Sequence, residues 1–122
     1  MKFDTKQEGL ETLFKPYQAL LLEWIWEINE NQRKGVNSGQ AHRYLRNTSE
    51  RKSRASVIFF LNDLVEESIL TYEERTGKGG HHRVYFPNMN RNEFSNYVVG
   101  SINEKLQTVF PQSEEIKARV NV

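Results

Sequence analysis

The sequence predicts an α+β fold that is mainly helical, with helices before and after a single β-hairpin. Apolar residues recur at helical spacing in several stretches, and a short segment between them changes to a strand-like pattern on either side of a glycine-rich tip. A chain of 122 residues fits one such domain with appendages. We expect an N-terminal extension or short helix over 1–15, a core domain over 16–88, a C-terminal helix over 89–111 and a frayed tail over 112–122.

Composition excludes several classes of protein. Hydrophobic residues make up 37% and charged residues 27%, as in an ordinary globular protein, and the absence of cysteine excludes disulfide scaffolds and thiolate metal sites. The N-terminus lacks the apolar core of a signal peptide, and the longest apolar run, Val57 to Leu61, is too short to cross a bilayer. We therefore expect a cytoplasmic protein with no membrane partner.

The net charge of +1 conceals a basic block. Residues 33–54 contain seven Lys or Arg and one acidic residue, Glu50, whereas the rest of the chain contains ten basic and fifteen acidic residues. A basic block within an otherwise acidic chain is typical of a protein that binds a polyanion. The alternative is a solvated basic surface.

A first helix is predicted from Pro16 to about Asn31, with Gly35 as the residue that ends it. Trp26 and Leu22 lie off its apolar stripe and are expected to make a second contact. The stripe itself consists of Tyr17, Leu20, Leu21, Trp24, Ile25 and Ile28.

A brief extended bridge over 36–38 and a short helix capped by Asn37 or Ser38 precede the central helix, 53–67. Ser53 is its expected N-cap. The central helix has cations at its start and carboxylates at its end, which is the reverse of what a helix dipole favours. An external anion such as a nucleic-acid phosphate would account for this arrangement, and the two helices form a helix-turn-helix pattern.

A hairpin follows, with strands over Ile69–Thr76 and His81–Phe86 joined by the tip Gly77–Gly80. The tip is not a nucleotide-binding loop, because Lys78 is followed by glycine and then by a strand. Helix, helix-turn-helix and hairpin in this order predict a winged helix-turn-helix with the hairpin, 69–87, as the wing.

The last predicted helix, from about Asn92 to Phe110, carries an apolar stripe that needs a covering. It can fold back on its own domain or pair with a second copy, and we favour a homodimer, because a winged domain already fills its own core. The expected dimerisation residues are Leu13, Phe14, Phe94, Val98, Ile102, Leu106 and Val109.

The run SRASVIFFLNDLVEESILTYEE, followed by the glycine-rich tip and RVYFP, resembles the helix-and-wing core of winged-helix transcriptional regulators. It is most similar to the penicillinase-repressor family, within the wider MarR-like superfamily, over residues 13–87. The resemblance implies dimers on operator DNA, with residues 53–59 in the major groove and residues 78–83 as wing contacts on the backbone or minor groove. Those repressors have several helices after the wing and a cleavage site, whereas one helix follows here.

On this basis Ser56 and Arg54 are expected to approach base edges, and Ala55 or Phe59 to meet a thymine methyl. Phe59 could instead pack beneath the wing. The full set of predicted DNA-binding residues is His42, Arg43, Arg46, Arg51, Lys52, Ser53, Arg54, Ala55, Ser56, Phe59, Lys78, His82 and Arg83.

The predicted function is that of a sequence-specific regulator, a repressor, which binds a pseudo-palindromic double-stranded operator without a cofactor. No enzyme is expected, since the chain lacks a cysteine nucleophile, a Gly-x-Ser-x-Gly elbow and a nucleotide loop. His81 and His82 are adjacent and point to opposite sides of a strand, so no metal site is predicted. The sequence does not indicate a small-molecule inducer. The alternatives are a winged-helix protein-interaction module, which uses the Trp24/Trp26 helix and the last helix, and a structured-RNA-binding protein.

Overall fold

The computed structural model describes residues 1–111, so the predicted tail at 112–122 lies outside the described residues. The chain divides into two compact units, Met1–Asn88 and a second that begins at Met89. A 3-10 turn at Gly9–Thr12 precedes the elements of the first unit, which are α1 (Pro16–Gln32), α2 (Ser38–Arg46), α3 (Arg54–Glu66), β1 (Leu70–Gly77) and β2 (Gly80–Pro87). The second unit contains α4 (Arg91–Val109). The prediction of a mainly helical α+β fold with a two-stranded antiparallel hairpin is confirmed.

Helix α1 begins at Pro16 as predicted, but the prediction that Gly35 ends it is wrong. The helix ends at Gln32, and Arg33 takes the left-handed conformation with φ 54° while its N–H donates to the carbonyl of Asn29. Gly35 lies instead against β2, where the chain passes so close that a Cβ would lie 2.5 Å from the carbonyl oxygen of Tyr85.

The buried face of α1 is wider than one stripe. Leu22 and Trp26 are fully buried, with Trp26 only 3% exposed, while Trp24 and Ile28 from the predicted stripe stay partly exposed. The reason is that α1 packs against both α2 and β2, so two adjoining faces are covered. The two tryptophans therefore have different roles: Trp26 is part of the core, whereas Trp24 is part of the surface and is half-exposed.

Side-chain caps set the starts of α2 and α3 as the sequence predicts. Asn37 accepts a hydrogen bond from the backbone N–H of Gln40, and its own N–H donates to the side chain of Gln40. Ser53 accepts from the backbone N–H of Ser56 at 3.1 Å. From this start, α3 buries Val57, Phe60, Leu61 and Leu64.

The hairpin is anchored at its base to the segment between α1 and α2. Tyr72 pairs with Tyr85 in an antiparallel register, and Val36 forms a further bridge to Tyr85 through hydrogen bonds of 2.9 and 2.7 Å. The predicted extended bridge is thus confirmed at Val36. At the tip, Gly80 has φ 91°, a value that favours glycine.

Helix α4 is capped by Asn90, which accepts from the N–H of Glu93 while its own N–H donates to that side chain. It begins and ends within one residue of the prediction. Val99 and Val109 are exposed along it, and Phe110 is exposed just after it. No helix within residues 1–111 is both long and apolar enough to cross a membrane.

Candidate nucleic-acid interface

Part of the basic block stabilises the end of α2. Arg43 and Arg46 lie in its last turn, where the unpaired carbonyls favour a cation. The Nε of Arg51 donates to the carbonyl oxygen of Arg46 at 3.3 Å, so this guanidinium also serves the helix end. Stabilisation of the C-terminal end of α2 therefore accounts for part of the basic block.

Arg54 occupies a position that helix stability does not explain. It is the first residue of α3, and its Nη2 donates to the hydroxyl of Ser38, the first residue of α2, at 3.2 Å. Its charge thus lies beside the positive ends of two helices. The positive potentials add, which makes this point attractive to an anion.

The cations at the start of α3, and those in the last turn of α2 at the opposite end of that helix from Ser38, have no carboxylate partner in residues 1–111. Arg43, Arg46, Arg51, Lys52 and Arg54 are all exposed, and none forms an ion pair with an acidic side chain of that part of the chain. The ammonium of Lys52 lies 5.3 Å from the centre of the Tyr17 ring. Their charge therefore faces solvent. His42, predicted with them, is half-buried on α2.

The exposed face of α3 carries an apolar side chain. Ala55 is exposed, and Phe59 is 69% exposed, so Phe59 does not pack beneath the hairpin. Ser56 has a local role, because its N–H and hydroxyl both interact with Ser53, the latter at 3.0 Å. A phenyl ring exposed to water on the outer face of α3 is available for an apolar contact with a ligand.

Lys78 is exposed at the hairpin tip, apart from the other two predicted wing residues. His82 and Arg83 extend from opposite faces of β2 because side chains alternate along a strand, yet both residues border the groove beside α3. Arg83 is half-buried, and its Nη1 donates to Asn62 Oδ1 at 3.1 Å. The structure therefore places Arg83 at the junction with α3 rather than at the hairpin surface.

A groove of about 380 Å³ lies between α2, α3 and the hairpin. Burial raises the pKa of Tyr85 on its wall, and the nearby Arg83 opposes this shift. Ser38, Asn62 and Tyr85 belong to this site without having been predicted from the sequence. Strand alternation was the available signal for Tyr85, since it follows Arg83 by two positions. The groove is lined by Ser38, Arg54, Ile58, Asn62, Arg83 and Tyr85, among others.

The predicted dimerisation residues are divided between the two compact units. In the first, Phe14 is buried and its ring meets that of Phe60 edge-on, with centroids 5.8 Å apart. The Phe14 ring is thus used within its own chain, beside the half-buried Leu13. In the second, the ring of Phe94 contacts that of Tyr97. The remaining predicted residues, Val98, Ile102, Leu106 and Val109, follow one another along α4, and Val109 is 63% exposed.

In the part of the chain that the structure describes, no three His, Asp or Glu side chains come together in a way that could hold a metal ion. No family model matches the chain, and no curated protein matches its sequence.

Proposed function

We propose that this protein is a sequence-specific double-stranded DNA-binding regulator of transcription, a cytoplasmic repressor that acts as a homodimer. One observation carries the proposal: Arg51, Lys52 and Arg54 are exposed at the start of α3 and have no carboxylate partner within residues 1–111, and the outer face of this helix presents Ala55 and Phe59. Polyanion binding accounts for the cations, and a base-reading helix accounts for the exposed phenyl ring.

The element order supports a winged helix. Helices α1, α2 and α3 precede the hairpin, and the Val36–Tyr85 bridge adds an edge to it, as a winged helix requires. In this proposal α3 enters the major groove with its first turns, and the hairpin follows the backbone or minor groove. The similarity to penicillinase repressors is part of the same proposal.

The cations of the site predict a steep salt dependence. If Arg43, Arg46, Arg51, Lys52 and Arg54 each neutralise one phosphate, counterion release gives a slope of roughly −4 to −5 in log affinity against log salt, per protomer. Arg54 is also the residue of this set that we expect to approach base edges, since it is the first residue of α3.

The test is a titration of duplex DNA by fluorescence anisotropy over a series of salt concentrations. We expect Lys52→Gln and Arg54→Gln each to reduce the magnitude of the slope by about 0.9 and to weaken binding at low salt. Lys6→Gln, an exposed lysine of the N-terminal segment, is the matched control and should leave the slope unchanged. A wild-type slope near zero would contradict the proposal.

Specificity is tested by selecting bound sequences from a random duplex library. Enriched inverted repeats would support a homodimer that reads a pseudo-palindromic operator. Phe59→Ala should then lose preference at a thymine position with little change in salt slope, because it removes an apolar contact and no charge. Enrichment of no sequence at all would restrict the protein to non-specific binding.

A second candidate is a protein-interaction module. Trp24 stacks on Tyr44 with ring centroids 4.7 Å apart, and both rings are partly exposed. Trp26, the other residue predicted for this role, is buried and unavailable. Such a module should show no salt-sensitive binding to duplex DNA. Competition between duplex DNA and duplex RNA of equal length distinguishes the RNA-binding alternative.

A further inference from the structure

A single oxygen atom of α3 receives two donors from the hairpin. Asn62 Oδ1 accepts from the hydroxyl of Tyr85 at 2.6 Å and from Nη1 of Arg83 at 3.1 Å. Tyr85 and Arg83 are two positions apart on β2 and therefore share a face. We call these three residues the clasp.

The Arg83 side chain is held from a second direction. Its guanidinium lies 4.0 Å from the centre of the Tyr72 ring on β1, within the range of a cation–π interaction. Glu74 is its cross-strand partner, yet Arg83 forms no ion pair with any carboxylate of residues 1–111. The guanidinium thus contacts α3 and the Tyr72 ring and forms no ion pair with the Glu74 carboxylate on the same face.

We propose that Arg83 is a positioning residue, which with Asn62 and Tyr85 fixes the hairpin against α3 and does not neutralise a phosphate. This rests on the proposed DNA-binding function and changes the role that the sequence predicted for Arg83. The phosphate contact of the hairpin then belongs to Lys78 at its tip.

The clasp matters because a two-stranded hairpin is marginally stable by itself. The Val36 bridge holds the base at Tyr85, and the clasp extends the attachment by two residues toward the tip. A hydrogen bond from a charged donor is stronger than a neutral one, so Arg83 is well suited to this. Loss of the clasp would leave Lys78 on a hairpin free to change its angle to α3.

The DNA experiment compares three variants by anisotropy over a salt series. Lys78→Gln should reduce the magnitude of the slope by about 0.9, as the loss of one phosphate contact requires. Asn62→Leu changes no charge, and Arg83→Gln removes one. The proposal predicts that both variants lower the affinity for DNA by a similar factor while the salt slope stays at its wild-type value. It also predicts that the double variant binds DNA no more weakly than either single variant, because Arg83 acts through Asn62.

Arg83 would instead be a phosphate ligand if Arg83→Gln reduced the slope as much as Lys78→Gln while Asn62→Leu bound like the wild type. That outcome overturns the proposal while leaving DNA binding intact. Failure of the wild-type protein to bind DNA would overturn the proposed function, and the clasp is then judged by hydrogen exchange alone.

Hydrogen exchange of the hairpin amides tests the clasp without DNA. Asn62→Leu and Tyr85→Phe should accelerate exchange across Tyr72–Thr76 and His81–Tyr85, whereas exchange in α1 should stay unchanged. Asn62→Asp keeps an acceptor for both donors and should restore protection. Tyr85→Phe removes one hydroxyl and little volume, so it retains the fold if Asn62→Leu does not. Unchanged hairpin exchange in Tyr85→Phe and in Arg83→Gln would show that no clasp exists.

Discussion

Gly35 shows what a residue's sequence neighbours do not reveal. Glycine commonly follows a helix end, so its place after the apolar stripe of α1 predicts a helix terminator. The structure uses it for close approach instead, because β2 passes directly over its Cα. That requirement comes from Tyr85 and Phe86, which are distant in sequence, and no local pattern around Gly35 contains it.

We expect Gly35→Ala to destabilise the first unit by about 1–3 kcal/mol, since the new methyl group meets a backbone oxygen that cannot move freely. Its Cβ would lie 2.5 Å from the Tyr85 carbonyl oxygen and 2.8 Å from a carbon of the Phe86 ring. Urea unfolding measures the change. Gly79→Ala is the control, because a Cβ there has no atom within 4 Å. Equal stability of the two variants would contradict the close approach.

Because of Tyr85, the free energy of unfolding should decrease at alkaline pH. Burial raises its pKa above the ordinary value of 10.0, so the folded protein holds this proton more tightly than the unfolded chain. The resulting stability is fully present below pH 10 and is lost as the pH rises through the raised pKa. Burial also raises the pKa of Tyr44, which adds to the same loss.

In Tyr85→Phe we therefore expect a smaller decrease in the free energy of unfolding as the pH rises past 10.0. The measurement is urea unfolding at a series of alkaline pH values, with neutral pH as the reference. Parallel curves for variant and wild type would show that Tyr85 holds its proton no more tightly in the folded state.

At the scale of the element, α3 shows which boundary the sequence determines. Its start follows from Ser53, because an N-cap acts on the next few residues and can be recognised locally. Its end is formed by Ser68, which has φ 63° where glycine is usual. The N–H of Ile69 donates to the carbonyl of Leu64 and that of Ser68 to Val65, the pattern of a Schellman motif.

Because serine is strained at a positive φ, we expect Ser68→Gly to stabilise the first unit by up to about 1 kcal/mol. Thermal unfolding measures the effect. Ser49→Gly is the control, because Ser49 does not have a positive φ. Glycine at this position relieves no strain and only increases the conformational freedom of the unfolded chain. A Ser68→Gly variant less stable than the wild type would argue that the serine side chain is needed at this joint.

At the scale of the whole molecule, the order of the elements follows from the sequence, whereas the contacts between them do not. Periodicity and caps locate the helices and the hairpin to within a residue or two. The cations of the candidate site are found from charge alone. The Arg83–Asn62 pairing is not, because it depends on how the hairpin packs on α3, and a polar pair leaves no periodic signal.

The proposed homodimer is a prediction about the whole molecule. Val109 is 63% exposed near the end of α4, and a charge there would be costly to bury between two copies. We expect the wild type to sediment as a dimer and Val109→Asp to sediment as a monomer at the same concentration. Thr108→Asp, one position earlier and also exposed, should remain dimeric. A monomeric wild type would exclude the homodimer under those conditions.

The bridge between Val36 and Tyr85 has a consequence for the kinetics of folding. All of α2 and α3 lies between its two residues in sequence, so this pairing closes a long loop before it yields any stabilisation. We therefore expect the local helices to form early and the docking of β2 onto Val36 to come late. A ribosome-bound chain truncated before Tyr85 would therefore hold nascent helices and lack the completed core.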